Sequence, residues 1–189
     1  MNLGINETIR IYKIGEKTIH VLWGDITKLE VDAIVNAANS TLLGGGGVDG
    51  AIHRKAGREL LEECKTLCGC NTGDAKVTKG YNLPVKHIIH TVGPIWDDNA
   101  GVVEKDFKSG QLSSCYEKCL VIANNLGLSS VAFPCISTGI YHFPKEDACK
   151  IAIKSVSDNI GNISDVVFCC YESVDYTIYC RTLDEICGA

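Results

Sequence analysis

The chain has 189 residues, 46% hydrophobic and 22% charged, with 18 Lys plus Arg against 23 Asp plus Glu. That length suits one domain whose core needs no disulfide or metal to fold, and the composition excludes disordered, fibrous and coiled-coil chains. The net charge of -5 removes the electrostatic footprint of a nucleic-acid binder, yet permits a single phosphorylated ligand held by backbone N–H groups.

In chain order, residues 9–14 and 18–23 read as two strands joined at Gly15-Glu16 in a hairpin. Residues 33–36 are a short apolar strand running into a polar loop, and a helix begins near Val48. Residues 57–67 place Leu60, Leu61, Cys64 and Leu67 at helical spacing, followed by strands over 75–81 and 86–92. A long helix is expected over 109–125, with Leu112, Tyr116, Cys119, Leu120 and Ala123 on its apolar face. Strand 130–134, helix 145–159, strand 166–171 and helix 174–186 complete the pattern. Strands alternating with helices predict a three-layer α/β/α sandwich around a mixed, mostly parallel sheet, a fold that binds ligands outside the carboxyl ends of its strands.

No apolar run reaches the length of a membrane span, and the first residues lack a basic stretch followed by an apolar one. The expectation is a cytoplasmic protein with no membrane partner, one domain over residues 1–189 with a short N-terminal extension over about 1–8. The 11 cysteines are an odd number, expected to remain reduced and mostly buried in such a compartment. Cys68-Gly69-Cys70, the Cys115/Cys119 pair and the His87/His90 pair lack the recurrent spacing of a zinc site, and His87 and His90 point to opposite faces of a strand.

The densest chemical signal runs from Asn36 to His53. Four consecutive glycines, Gly44-Gly45-Gly46-Gly47, stand between a strand and a helix and let a ligand approach backbone N–H groups where the helix dipole is positive. Glycines alone would describe a flexible loop; Asn36, Asn39, Asp49 and His53 around them add chemistry. Asp49 and His53 are four apart, on one helix face. Gly45, Gly47 and Gly50 also spell GxGxxG, but the run begins eight residues beyond the strand, and the acids about 20 residues on, Glu62 and Glu63, lie in a helix, unlike a dinucleotide fold. A second anion-binding turn is expected at Ser137-Thr138-Gly139-Ile140-Tyr141, between a strand and a helix, with Tyr141 and Phe143 either walling a ligand or packing on the core. Asp25, at the end of a strand in Trp23-Gly24-Asp25-Ile26-Thr27, is either an acceptor for an exocyclic amine or a helix cap.

At these stretches, and at Lys79-Gly80-Tyr81-Asn82-Leu83-Pro84 and His90-Thr91-Val92-Gly93-Pro94-Ile95-Trp96, the chain resembles the macrodomain superfamily, specifically the MacroD-type ADP-ribose hydrolases. The resemblance extends from about residue 9 to 187. It implies that Asp25 accepts from the adenine amino group beside the Ile26 backbone, and that Tyr171, where Phe is commoner, stacks on adenine. The backbones of Gly46, Gly47 and Val48 and of Ser137, Thr138, Gly139 and Ile140 would cradle the two phosphates. Asn39, and less directly Asn36, would orient the distal ribose, with Tyr141 as its wall. Asp49 would act on the water, supported by His53. The implied ligands are ADP-ribose, O-acetyl-ADP-ribose and mono-ADP-ribosylated proteins, handled by a monomer without metal or cofactor. The alternative is a reader that binds ADP-ribose without cleaving anything; the acidic charge counts against RNA.

Overall fold

The computed structural model describes residues 8–188. The N-terminal extension expected over about 1–8 lies outside them, apart from Thr8, which already opens the first strand. The chain runs β1 (Thr8–Ile14), β2 (Lys17–Trp23), a 3-10 turn (Ile26–Lys28), β3 (Ala33–Ala37), α1 (Gly47–Ala56), α2 (Arg58–Thr66), β4 (Ala75–Lys79) and β5 (His87–Thr91). It continues through α3 (Val102–Asn125), β6 (Ser130–Phe133), α4 (Lys145–Asn159), β7 (Asp165–Cys170) and α5 (Ser173–Cys187).

The strands form one sheet in the order β1-β2-β7-β6-β3-β5-β4. Its five central strands, β2 to β5 in that order, are parallel, and only the outer β1 and β4 run antiparallel to their neighbours. Central strands covered on both faces read as near-continuous apolar runs, as Val166-Val167-Phe168 does in β7.

Pleat alternation sorts the side chains into two cores. Ile34, Ala132 and Val167 face α1 and α2, packing with Ile52, Leu60 and Cys64. Val35, Phe133 and Phe168 face the other way, packing with Leu112 and Tyr116 of α3, Ala152 of α4 and Tyr179 of α5. The result is the α/β/α sandwich with a mostly parallel sheet.

The longest helix starts at Val102 rather than at 109. Its first two turns carry exposed Val102, Val103 and Phe107, so they lack the apolar stripe that marks the rest of the helix. They are held instead by local pairing, including Lys108 to Glu104 at 2.9 Å. The cysteines carry free thiols and are buried, except exposed Cys68 and Cys187 and half-buried Cys135. Among the described residues no helix is long and apolar enough to cross a membrane.

Candidate active site

Because β2, β7, β6 and β3 are parallel neighbours, their carboxyl ends lie in a row along one edge of the sheet. Adjacent strands are about 4.8 Å apart, so three steps span about 14 Å. In this row stand Asp25 after β2, Tyr171 after β7, the Ser137–Tyr141 turn after β6, and the glycine loop after β3. Segments separated by more than a hundred residues thus come to lie side by side along one sheet edge in a fixed order.

At the β2 end, the Asp25 Oδ1 accepts from the Thr27 N–H at 3.0 Å and from the Thr27 hydroxyl at 2.7 Å. Asp25 is therefore the cap of the 3-10 turn, and its second oxygen enters neither bond. Ile26 is buried beside it. The Tyr171 side chain is 82% exposed, while its carbonyl accepts from the Trp23 indole at 3.2 Å. Its backbone is pinned to β2 and its ring stands in solvent, with both faces free to stack.

In the middle, two loops present unpaired backbone donors. Gly47 opens α1 with φ +57°, a left-handed conformation that favours glycine, and Gly46 caps the helix with no side chain. Among the described residues, the N–H groups of Gly47, Val48 and Asp49, and of Thr138, Gly139 and Ile140, have no backbone acceptor. Ser137 also lies in the left-handed region, at φ +66°, with its hydroxyl buried and unpartnered; strain of this kind collects at binding turns. Ile140, largely exposed, reaches across so that a Cβ on Gly46 would sit 3.6 Å from its Cδ1. The two loops therefore face each other. Tyr141 is half-buried with its carbonyl accepting from the Trp96 N–H at 2.8 Å. Phe143 is buried against Trp96, ring centroids 4.5 Å apart, so it packs on the core and walls no ligand.

At the β3 end, Asp49 is 3% exposed. Its Oδ1 accepts from the Asn36 amide at 2.8 Å and lies 3.5 Å from His53 Nε2. Its Oδ2 has no partner, and a Cβ on Gly45 would come within 3.0 Å of that oxygen and 3.1 Å of Asn39 Nδ2. Only glycine leaves this space free. Asn39 donates to the Gly44 carbonyl at 2.9 Å and accepts from the Thr41 N–H and hydroxyl at 3.0 and 2.6 Å, so it shapes the loop as well as edging the space. Asn36 is completely buried behind Asp49. It has no exposed surface, and its amide is turned to Asp49, in keeping with the less direct place expected for it. Burial pushes the Asp49 carboxyl above the usual carboxylate range, opposed by the Asn36 hydrogen bond and by His53. Among the described residues no three His, Cys, Asp or Glu side chains gather where a metal ion would be held.

A Macro domain family model matches residues 35–152, which contain both loops and the buried acid. The chain belongs to the Macro domain family. It is 50% identical to a macro domain-containing protein of Ralstonia nicotianae, over 89% of this chain and 95% of that one. It is 48% identical to the human ADP-ribose glycohydrolase MACROD2, over 95% of this chain but 42% of that protein, so it spans less than half of the human relative. Among solved structures, the Oceanobacillus iheyensis macrodomain with ADP matches with a TM-score of 0.89 at 37% identity, covering 96% of this chain and 98% of that one.

Two site-associated residues escaped the sequence reading. His90 and Thr78 lie behind Asn36, buried, and continue its hydrogen bonding into the sheet. A histidine in an otherwise apolar strand was a usable signal; its partner on β3 was not, because the Asn36–His90 register is a non-local pairing.

Proposed function

We propose that this macro domain is a hydrolase that binds ADP-ribose along the sheet edge and releases it from ester linkage to acidic protein side chains, with O-acetyl-ADP-ribose as a second ester substrate. The single observation that carries the catalytic half is the unpartnered, buried Asp49 Oδ2 facing the Cβ-free flank of Gly45. The order along the sheet edge supports the ligand: amine acceptor, aromatic platform, two donor loops, then the acid. The naming of the human relative as an ADP-ribose glycohydrolase and the ADP in the O. iheyensis structure point the same way.

Asp25 and Tyr171 hold the adenine, and the paired loops take the diphosphate on neutral N–H donors. That route explains how a chain of net charge -5 accepts a dianion. Tyr141 and Asn39 flank the distal ribose, which brings its ester to Asp49. A carboxylate with a raised pKa, desolvated and free on one oxygen, can position a water and take its proton. Hydrolysis consumes one water and yields ADP-ribose and the free carboxylic acid. An ester of a sugar hydroxyl or anomeric carbon has a competent leaving group, so positioning supplies much of the rate. We further propose that the domain works as a monomer in the cytoplasm, consistent with its free thiols.

The test incubates the protein with acceptors carrying ester-linked or serine-linked ADP-ribose and with O-acetyl-ADP-ribose. The expected result is ester turnover that collapses in Asp49→Ala while calorimetry still shows ADP-ribose binding. Binding by the wild type with no product from any substrate would make the domain a reader.

A further inference from the structure

We propose that His90, acting through Asn36 and braced by Thr78, is a positioning residue that keeps one oxygen of Asp49 occupied and the other free for the reacting water. The inference rests on reading Asp49 as the residue that handles that water.

Asn36, His90 and Thr78 sit on β3, β5 and β4, on the sheet face turned to α1 and α2. The β3–β5 register pairs Asn36 with His90 directly. Their surroundings are apolar: Ile34, Ile88, Ile52 and Leu60 are completely buried on the same face. Polar side chains in such a place are costly unless matched.

The matching has a direction. The Thr78 hydroxyl donates to the Lys79 carbonyl at 3.2 Å, which leaves its oxygen to accept from His90 Nε2 at 2.9 Å. His90 Nδ1, then unprotonated, accepts from Asn36 Nδ2 at 3.1 Å. The second hydrogen of that amide goes to Asp49 Oδ1 at 2.8 Å. Each polarity follows from the one before, which assigns the tautomer of His90 and leaves Asn36 Oδ1 without a partner among the described residues. Burial pushes His90 down to about 3, which keeps it in the neutral form this chain of bonds requires.

The consequence falls on Asp49. A flipped Asn36 would aim its carbonyl at the carboxylate and leave the charge without its donor. The acceptor on His90 disfavours that flip. Without it, the amide loses its orientation, Asp49 Oδ1 loses its donor, and the already raised carboxyl pKa rises further. The other titratable groups facing this centre are His53 from α1, 3.5 Å from Asp49, and Cys64 from α2, 3.9 Å from His90 Nε2. Toward the same face β3 presents neutral Asn36, and β4 presents neutral Thr78 and adds one charged group, Lys76, which stands in register with His90 and donates to the Leu67 carbonyl at 2.6 Å.

The experiment compares wild type, His90→Phe, which fills the space without an acceptor, and His90→Asn, which restores one near the Nδ1 position. For each, calorimetry gives the Kd for ADP-ribose, ester turnover across pH gives kcat and its acid limb, and carbon NMR follows the Asp49 carboxyl. Expected for His90→Phe are a Kd near wild type, kcat lower by roughly tenfold or more, and an acid limb and Asp49 titration raised by about one pH unit. His90→Asn should recover most of both. Unchanged kcat and Asp49 titration in His90→Phe, or no recovery in His90→Asn, would overturn the proposal. If His90→Phe does not fold, Thr78→Val reads the same chain, and an unmoved Asp49 titration there overturns it. If the wild type turns over no ester, the titration alone decides: a shift keeps the positioning role and removes the hydrolase reading, and no shift removes the positioning role.

Discussion

At the β2–β7 end of the sheet edge the groups proposed to hold adenine are Tyr171, 82% exposed, and Asp25, at the tip of a one-turn cap. At the β3–β5 end, Asp49 is 3% exposed and the residues behind it, Asn36 and His90, have no accessible surface. Stacking needs only a ring and a fixed backbone, so the first end can be built from a strand terminus and should tolerate exchange of one aromatic ring for another. A carboxylate that must take a proton needs a raised pKa, hence burial, and burial demands a scaffold that satisfies one oxygen without satisfying both. On the proposed function, affinity and chemistry would occupy separate environments about 14 Å apart along one sheet edge.

Mutations at the two ends should therefore split kcat from Kd. The largest split is expected for Asp49→Ala, with kcat reduced roughly 10²- to 10⁴-fold and ADP-ribose affinity changed little, read by ester turnover alongside calorimetry. A comparable loss of affinity would show that Asp49 mainly binds. Next comes Gly45→Ala. The new methyl would lie 3.0 Å from Asp49 Oδ2 and 3.1 Å from Asn39 Nδ2, in the space assigned to the water. Turnover should fall roughly a hundredfold, with unfolding temperature near wild type, since the loop is exposed. Full activity would move the water elsewhere.

Tyr171→Ala tests the opposite end. Base stacking on an aromatic ring contributes about 1–3 kcal/mol, so Kd should weaken about tenfold or more with kcat unchanged at saturation. Tyr171→Phe should be nearly silent in both. A drop in kcat at saturation for Tyr171→Ala would couple the two ends and undo the comparison.

How much of this was legible beforehand differs along the same axis. The glycine run, Asp49 with His53 at helical spacing, and Asp25 at a strand end were visible as local patterns, because loops and caps are written in neighbouring residues. The alternation of strands and helices likewise fixed the layer architecture. The first turns of α3 were not, since Val102, Val103 and Phe107 face solvent and show no stripe. Nor was the burial of Asn36, which pleat alternation aims inward at His90. That contact joins residues 54 apart, through a strand register no local pattern contains. The chemistry-bearing surface could be read locally; what holds the acid in its working state could not.

The smallest predicted effect concerns stability. The Asp49 carboxyl is raised in the folded chain, so folding favours its protonated form. Its favourable contribution is present below the unfolded carboxyl pKa and is lost as pH rises through the folded one. At neutral pH the buried charge therefore works against the fold. Asp49→Asn removes that charge and keeps an oxygen able to accept from Asn36. It should raise the unfolding temperature near neutral pH by roughly 2–4 °C, equivalent to about 1 kcal/mol in a chain of this size, while turnover is lost. The gain should shrink as pH falls and the wild-type acid becomes protonated. Calorimetric unfolding of both proteins across that range checks the sign. A variant that is less stable at neutral pH would mean that the Asn36 bond and His53 together outweigh the burial of Asp49, and that the catalytic end is held together by the charge it was inferred to tolerate.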